Sequence, residues 1–216
     1  MKIALIGAGF VGSAILKEAL ERGHFVTAIV RNPDKISIQS EKLKKIKANA
    51  LNIDEITEAV KGHDVVINAY NPGWNNPNIY NEFLEGFSAI TTGTKKAGTK
   101  RLFIIGGGGS LYMAPDVQLV DTPQFPEEYK KGAQALRDYL NIIKKEQDLD
   151  WTFLSPSIEM HPGTSGERKG TYRKGLENPV FNENGRSTIS VEDLAAAVLD
   201  EIERPQHSRQ RFTIAY

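Results

Sequence analysis

The chain contains no cysteine. That excludes disulfides, thiolate metal ligands and thiol nucleophiles. It also lacks an excess of either charge, since Lys plus Arg and Asp plus Glu both number 27 in 216 residues. A balanced chain has no general electrostatic grip on nucleic acid or on an anionic membrane surface. No apolar run is long enough to span a bilayer. Short-period repeats and low-complexity tracts are missing. Histidine is scarce, at four, and no histidine pair or carboxylate set has metal-ligand spacing, so no metal is expected. No tyrosine has a lysine four residues later, which removes the Tyr-Lys route to general acid and base chemistry. The expectation is a soluble cytoplasmic protein of one domain, monomer or homodimer, with a small-molecule partner.

What is present is concentrated at the start. Residues 1–16 read MKIALIGAGFVGSAIL. Ile3 to Ile6 form a short apolar run, as in a strand buried on both faces. Gly7, Gly9 and Gly12 follow at G-x-G-x-x-G spacing. Val11, Ala14, Ile15, Ala19 and Leu20 then recur at helical steps up to Gly23, a C′ glycine. Strand, glycine turn and helix together form a dinucleotide fingerprint: Gly7 for the turn, Gly9 for close approach of a pyrophosphate, Gly12 for helix against sheet. The helix start presents free amides and a positive dipole end to phosphate. A lysine and an apolar run also begin signal peptides, but three turn glycines and an amphipathic continuation argue against one.

Further strands are expected at Phe25–Val30, Ile46–Leu51, Asp64–Tyr70, Arg101–Ile105, Trp151–Leu154 and Phe212–Tyr216. Helices are expected from Asp54 to Gly62, through Ile79, Phe83, Phe87 and Ile90, from Pro126 through Ile143, and from a capping box at Ser190 to Pro205. Residues 110–125 show no period, which marks a functional loop or a misread element. A short hairpin is expected around Thr171-Tyr172. Strands alternating with helices predict an α/β Rossmann fold, a doubly wound and mostly parallel sheet with helices on both faces. The domain spans 1–216, with a small substrate-side region from 106–126 and 156–186. Ligands of such sheets sit beyond the carboxyl ends of the strands, at the switch point.

That rule selects the site candidates. For the cofactor they are Gly7, Gly9, Phe10, Val11, Gly12, Arg31, Asp54, Ala69, Tyr70, Asn71 and Gly106. Arg31 stands at the end of the second strand, where an NAD site usually has an acid. A guanidinium there suits the 2′-phosphate of NADP, with NAD as the alternative. Ser110, after four successive glycines, and Tyr129 are the candidate catalytic hydroxyls. Trp74, Tyr112 and His161 are candidates for the substrate side, with Trp74 able to stack on a flat ring. His24, His63 and His207 read as surface residues.

IGAGFVGSAILKEALERGHFVTAIVRNPDKI, DVVINAYNPG, RLFIIGGGGSL, DWTFLSPS and ISVEDLAAAVLDEIERPQHSRQRFTIAY together resemble the atypical short-chain dehydrogenase/reductase proteins. The nearest branch is NADH-flavin reductase-like, similar to biliverdin reductase B and NmrA-like proteins and often described as NAD-dependent epimerase/dehydratase. The glycine loop is one residue shorter than the family's G-x-x-G-x-x-G. The resemblance implies that Arg31 contacts the 2′-phosphate and that 69–71 and 106–110 flank the nicotinamide. It implies an NAD(P)H-dependent reductase acting on a flavin or similar planar acceptor. The alternatives are an NADP-sensing regulator without turnover and a nucleotide-sugar epimerase.

Overall fold

The computed structural model describes all 216 residues. In chain order the elements are β1 (Lys2–Ile6), α1 (Phe10–Glu21), β2 (Phe25–Val30), β3 (Leu43–Lys47), α2 (Ile53–Val60), β4 (Val65–Asn68), α3 (Ile79–Lys96) and β5 (Arg101–Ile105). They continue as β6 (Tyr112–Ala114), β7 (Val117–Gln118), α4 (Glu127–Ile143), β8 (Asp150–Ser155), β9 (Arg173–Gly175), α5 (Val191–Glu203) and β10 (Gln210–Ala215). Eight strands form one sheet in the order β3-β2-β1-β4-β5-β8-β10-β9. Every pair is parallel except β10 with β9. The chain winds outward from β1 and then returns to lay β4 on its other side. This is a Rossmann fold, and β1/β4 is its switch point.

The central strands are apolar on both faces because both faces are covered. Ile3, Leu5, Val65, Ile67 and Phe103 pack with Ile15, Leu16 and Ala19 of α1 and with Leu194, Val198 and Ile202 of α5. Ala4, Ile6, Val66, Leu102 and Ile104 pack with α2, α3 and α4 through Ile56, Phe83, Phe87, Leu136 and Tyr139. Each buried aliphatic or aromatic side chain contributes roughly 1.5–3 kcal/mol. The helices stop and start on local chemistry. After α1, Gly23 takes φ +83 and its amide donates to the Leu20 carbonyl. Asn52 caps α2 by accepting from the amides of Asp54 and Glu55. Ser190 caps α5 by accepting from the Asp193 amide.

Several elements differ from the sequence-based expectation. The third strand is 43–47, not 46–51. It is an edge strand carrying Lys44, Lys45 and Lys47. Charge guards an open edge but hides the apolar pattern. Ala48 and Ala50 are buried beyond the strand, which displaced the expected position. Residues 110–125 are folded: β6 and β7 form a small antiparallel ribbon, anchored by fully buried Leu111 and Val120. No hairpin forms at Thr171-Tyr172; β9 instead pairs antiparallel with the last strand. Pro126 is the cap before α4 and not its first residue. His24 and His207 are buried, each held by a carboxylate at 2.8 Å, Glu203 and Glu201 respectively. Local context gave no hint of either partner.

Candidate dinucleotide cleft

The switch point opens into a cleft of about 280 Å³. Its floor is Ile6, Gly7, Ala8 and Gly9, one wall is Ala69, Tyr70 and Asn71, and the far end is Arg31, Asn32 and Lys35. Ile29, Val30, Ile36, Ala48 and Ala50 complete the apolar side of that end. Six of the expected cofactor residues therefore meet in one place, although they come from three separate segments.

The three glycines have three different surroundings. Gly7 adopts φ +93, and a Cβ there would lie 2.5 Å from the Ala69 carbonyl oxygen. Here β1 turns directly against the end of β4, which leaves no room for a side chain. A Cβ on Gly12 would lie 2.1 Å from the Gly7 carbonyl oxygen, so the first turn of α1 rests on the loop itself. Gly9 is the opposite case: a Cβ there meets nothing within 4 Å. It faces open space on the cleft floor. Gly9 also caps α1 without any side-chain hydrogen bond, and the first turn carries no acid. The amides of Phe10, Val11 and Gly12 are thus left without intrahelical partners at the positive end of the helix. This donor set fits a pyrophosphate.

The Arg31 end is shaped by a short turn. Asn32 accepts from the Asp34 amide at 3.2 Å, Pro33 opens a single 3₁₀ turn, and Lys35 returns to the cleft beside Arg31. Lys35 was missed in the sequence because a lone lysine four residues on has no visible partner until the turn forms. Tyr70 lies between α3 and the cleft. Its ring fills the space where a Cβ of Gly86 would stand, at 2.5 Å from that position. Burial, with Glu82 adding to it, raises the Tyr70 hydroxyl above the usual phenol range, while Arg31 pulls the other way. Tyr70 therefore presents a neutral phenol on that wall.

The remaining candidates are placed differently. Asp54 is corrected: it sits in the first turn of α2 with its side chain 91 % exposed, 3.6 Å from Lys96 and outside the cleft. The chain passes the cleft at Ala48 and Ala50, a few residues before α2 begins. Ser110 is absent from the cleft lining. It is 1 % exposed; its hydroxyl donates to the Gly107 carbonyl at 2.9 Å and meets the Ser155 hydroxyl at 3.0 Å, beside the buried guanidinium of Arg211. The glycine run turns it inward. Gly106 is glycine because the Phe153 ring lies where its Cβ would be, at 1.9 Å. Tyr112 lines a separate shallow depression with Met113, Asp116 and Glu177. Its amide donates to the Glu177 carbonyl, which ties 106–126 to 156–186. His161 caps a short turn, its Nδ1 accepting from the Gly163 amide at 3.1 Å. Trp74 and Tyr129 pair edge to face at 5.4 Å on the carboxyl-edge rim. No group of three or more His, Asp or Glu is arranged to hold a metal, and no helix is long and apolar enough to cross a membrane.

Comparison with known proteins agrees with this geometry. A family model described as NAD(P)H-binding matches residues 7–205. The uncharacterized protein YwnB of Bacillus subtilis is 40% identical over 99% of this chain and 98% of its own length. A solved structure from Bacteroides thetaiotaomicron, described as a candidate epimerase, is 48% identical with a TM-score of 0.92 and covers 100% of this chain and 96% of that one. A Streptococcus pneumoniae structure, described as a candidate NADH-flavin reductase, is 34% identical with a TM-score of 0.86, covering 100% and 99% of the two chains.

Proposed function

The chain belongs to the NAD(P)H-binding, atypical short-chain dehydrogenase/reductase-like family, and we propose that it uses NADPH to reduce a flavin or a similar planar acceptor. The observation that carries the reading is the cleft itself, in which an open glycine and an uncapped helix start adjoin a two-cation end. The amides of 10–12 would hold the pyrophosphate. Arg31 and Lys35, with Asn32 between them and no acid in the lining, would hold a 2′-phosphate, which favours NADP over NAD. The apolar surface of Ile29, Ile36, Ala48 and Ala50 would take the adenine. When bound, the dinucleotide supplies a hydride, and the protein's part is to fix its orientation toward the acceptor.

A flavin-like acceptor fits the hydroxyls found here. Ser110 is buried with its hydrogen bonds already made, and no tyrosine has a lysine four residues later to activate it. An acceptor that delocalises its own negative charge needs no proton from either. A flavin has that property, and the flavin reductase name carried by the Streptococcus pneumoniae relative supports it. The epimerase name of another relative is less well supported here, since no Tyr-x-x-x-Lys pair exists to run that chemistry.

The test is NADPH oxidation followed with and without riboflavin, beside a direct NADPH binding titration. Saturable oxidation that depends on riboflavin is expected. Tight binding with no turnover on any flavin would replace the reductase by an NADP sensor.

A further inference from the structure

Trp74 is an unusual residue to find on a rim. It is 45% exposed, yet its indole is fixed from three sides. Tyr129 meets it edge to face at 5.4 Å and 86°, Phe83 at 6.2 Å and 61°, and the backbone of α4 lies beneath it at Gly132. Gly132 is an interior helix position, where glycine is destabilising relative to alanine. Its reason is local: a Cβ at 132 would lie 2.7 Å from Trp74 Cζ3 and 2.9 Å from Ile79 Cδ1. The glycine lets the indole lie directly against the helix. The chain thus gives up helix stability to seat an exposed aromatic ring in one orientation.

The position of this ring gives it a purpose. Trp74 follows Asn71, a wall of the dinucleotide cleft, by three residues on the loop between β4 and α3. Tyr129 opens α4, which the chain enters after leaving β5, the strand next to β4. With Arg31 marking the adenosine end, the pair stands at the opposite end, on the β4/β5 side. The aromatic neighbours of Trp74 are Phe83 and Tyr129, and Gly132 lies against its ring.

We infer that Trp74 is the stacking wall for a planar acceptor ring and that Gly132 is the positioning residue that sets its plane. This rests on the reductase reading above and adds to it the place where the acceptor lies and the residue that governs its fit. Offset stacking of two flat rings is the arrangement their quadrupoles favour. A ring already held by its neighbours loses little rotamer freedom on binding.

The experiment uses the full chain loaded with NADP⁺ and riboflavin as the probe. Riboflavin quenching of tryptophan emission is compared between the unaltered protein and Trp74→Phe, which removes one of the two tryptophans; the other, Trp151, is buried. Saturable quenching that disappears in Trp74→Phe is expected. Trp74→Ala should weaken riboflavin by about tenfold while NADP⁺ binding is unchanged. Gly132→Ala should shift Trp74 emission and weaken riboflavin by a similar factor. In a Trp74→Ala background, however, Gly132→Ala should have no further effect on riboflavin, which a merely structural glycine would not show. Equal riboflavin affinity in Trp74→Ala, additive losses in the double variant, or no saturable riboflavin binding with NADP⁺ bound would each overturn the inference. Failure to bind NADP⁺ is a distinct result that removes the cofactor reading, and this inference with it.

Discussion

The carbonyl of Gly7 occupies the space in which a side chain of Gly12 would have to stand. The turn and the helix after it are therefore one interlocked unit, whereas a side chain on Gly9 between them would meet nothing. Gly12→Ala should cost about 1–3 kcal/mol, as overpacking does, and should lower NADPH affinity with it. Gly9→Val has room in the fold and a backbone at φ −76 that other residues adopt. It should melt close to the unaltered protein and still fail to bind NADPH. Thermal melts beside NADPH fluorescence titrations separate the two, and intact NADPH binding in Gly9→Val would remove the pyrophosphate from that floor.

Arg31 and Lys35 should share the 2′-phosphate. A hydrogen bond to a charged group contributes about 1.5–3 kcal/mol. Arg31→Ala should accordingly weaken NADPH by roughly ten- to a hundredfold. Lys35→Ala should act in the same direction with a smaller effect, since an ammonium offers no planar fork. NADH affinity should barely move in either. Equal losses for both cofactors would show that these cations touch something other than the phosphate.

Ser110→Ala should behave as a core variant. Its hydroxyl bonds the Gly107 carbonyl and Ser155, and removing a buried partner costs about 1–3 kcal/mol. Turnover should fall by no more than about tenfold, while losing a true general acid costs about a hundred- to ten-thousandfold. Tyr129→Phe should likewise keep most of the rate, because the ring and not the hydroxyl meets Trp74. Single-turnover rates at saturating NADPH decide both. A thousandfold loss in either variant would identify a proton donor.

Stability should fall on the acid side. Burial works against the charges of Asp200 and Glu203. Hydrogen bonds from Tyr172 and Arg22 to Asp200, and from His24 and Arg22 to Glu203, outweigh it and hold both carboxyls below their usual range. A depressed carboxylate stabilises the fold fully above its unfolded pKa and loses that contribution as pH falls through the lower folded value. Melting temperature should be flat above about pH 5 and drop toward about pH 3. Arg22→Met should be less stable at neutral pH and show a shallower acid drop. An unchanged slope would mean that other carboxylates dominate.

Much of the fold could be read from the chain because β1, β2 and β5 are short apolar runs closed by glycine, Arg-Asn-Pro or more glycine, and these signals are local. Arg31 was legible for the same reason: its place is counted from the glycine loop. Lys35, Ala48 and Ala50 were not, since only the 3₁₀ turn and the exit from an edge strand bring them to the cleft. Ser110 looks exposed after its glycines, whereas the partners that meet its hydroxyl, Ser155 and Arg211, stand 45 and 101 residues later in the chain. Gly132 has no sequence signal at all; its meaning lies in the ring above it.

The four glycines from 106 to 109 bear on how this site can change. Each is pressed by a neighbour, Phe153, Leu136, the Pro156 carbonyl and Ala133 in turn, with a would-be Cβ at 3.0 Å or less in every case. A saturation library across the carboxyl edge should therefore be nearly barren there. Variants with new acceptor preferences would be recovered from the exposed tip around Met113 to Val117 and from the loop holding Trp74. On the proposed acceptor side the glycine segment is frozen, and diversity has to come from the rim.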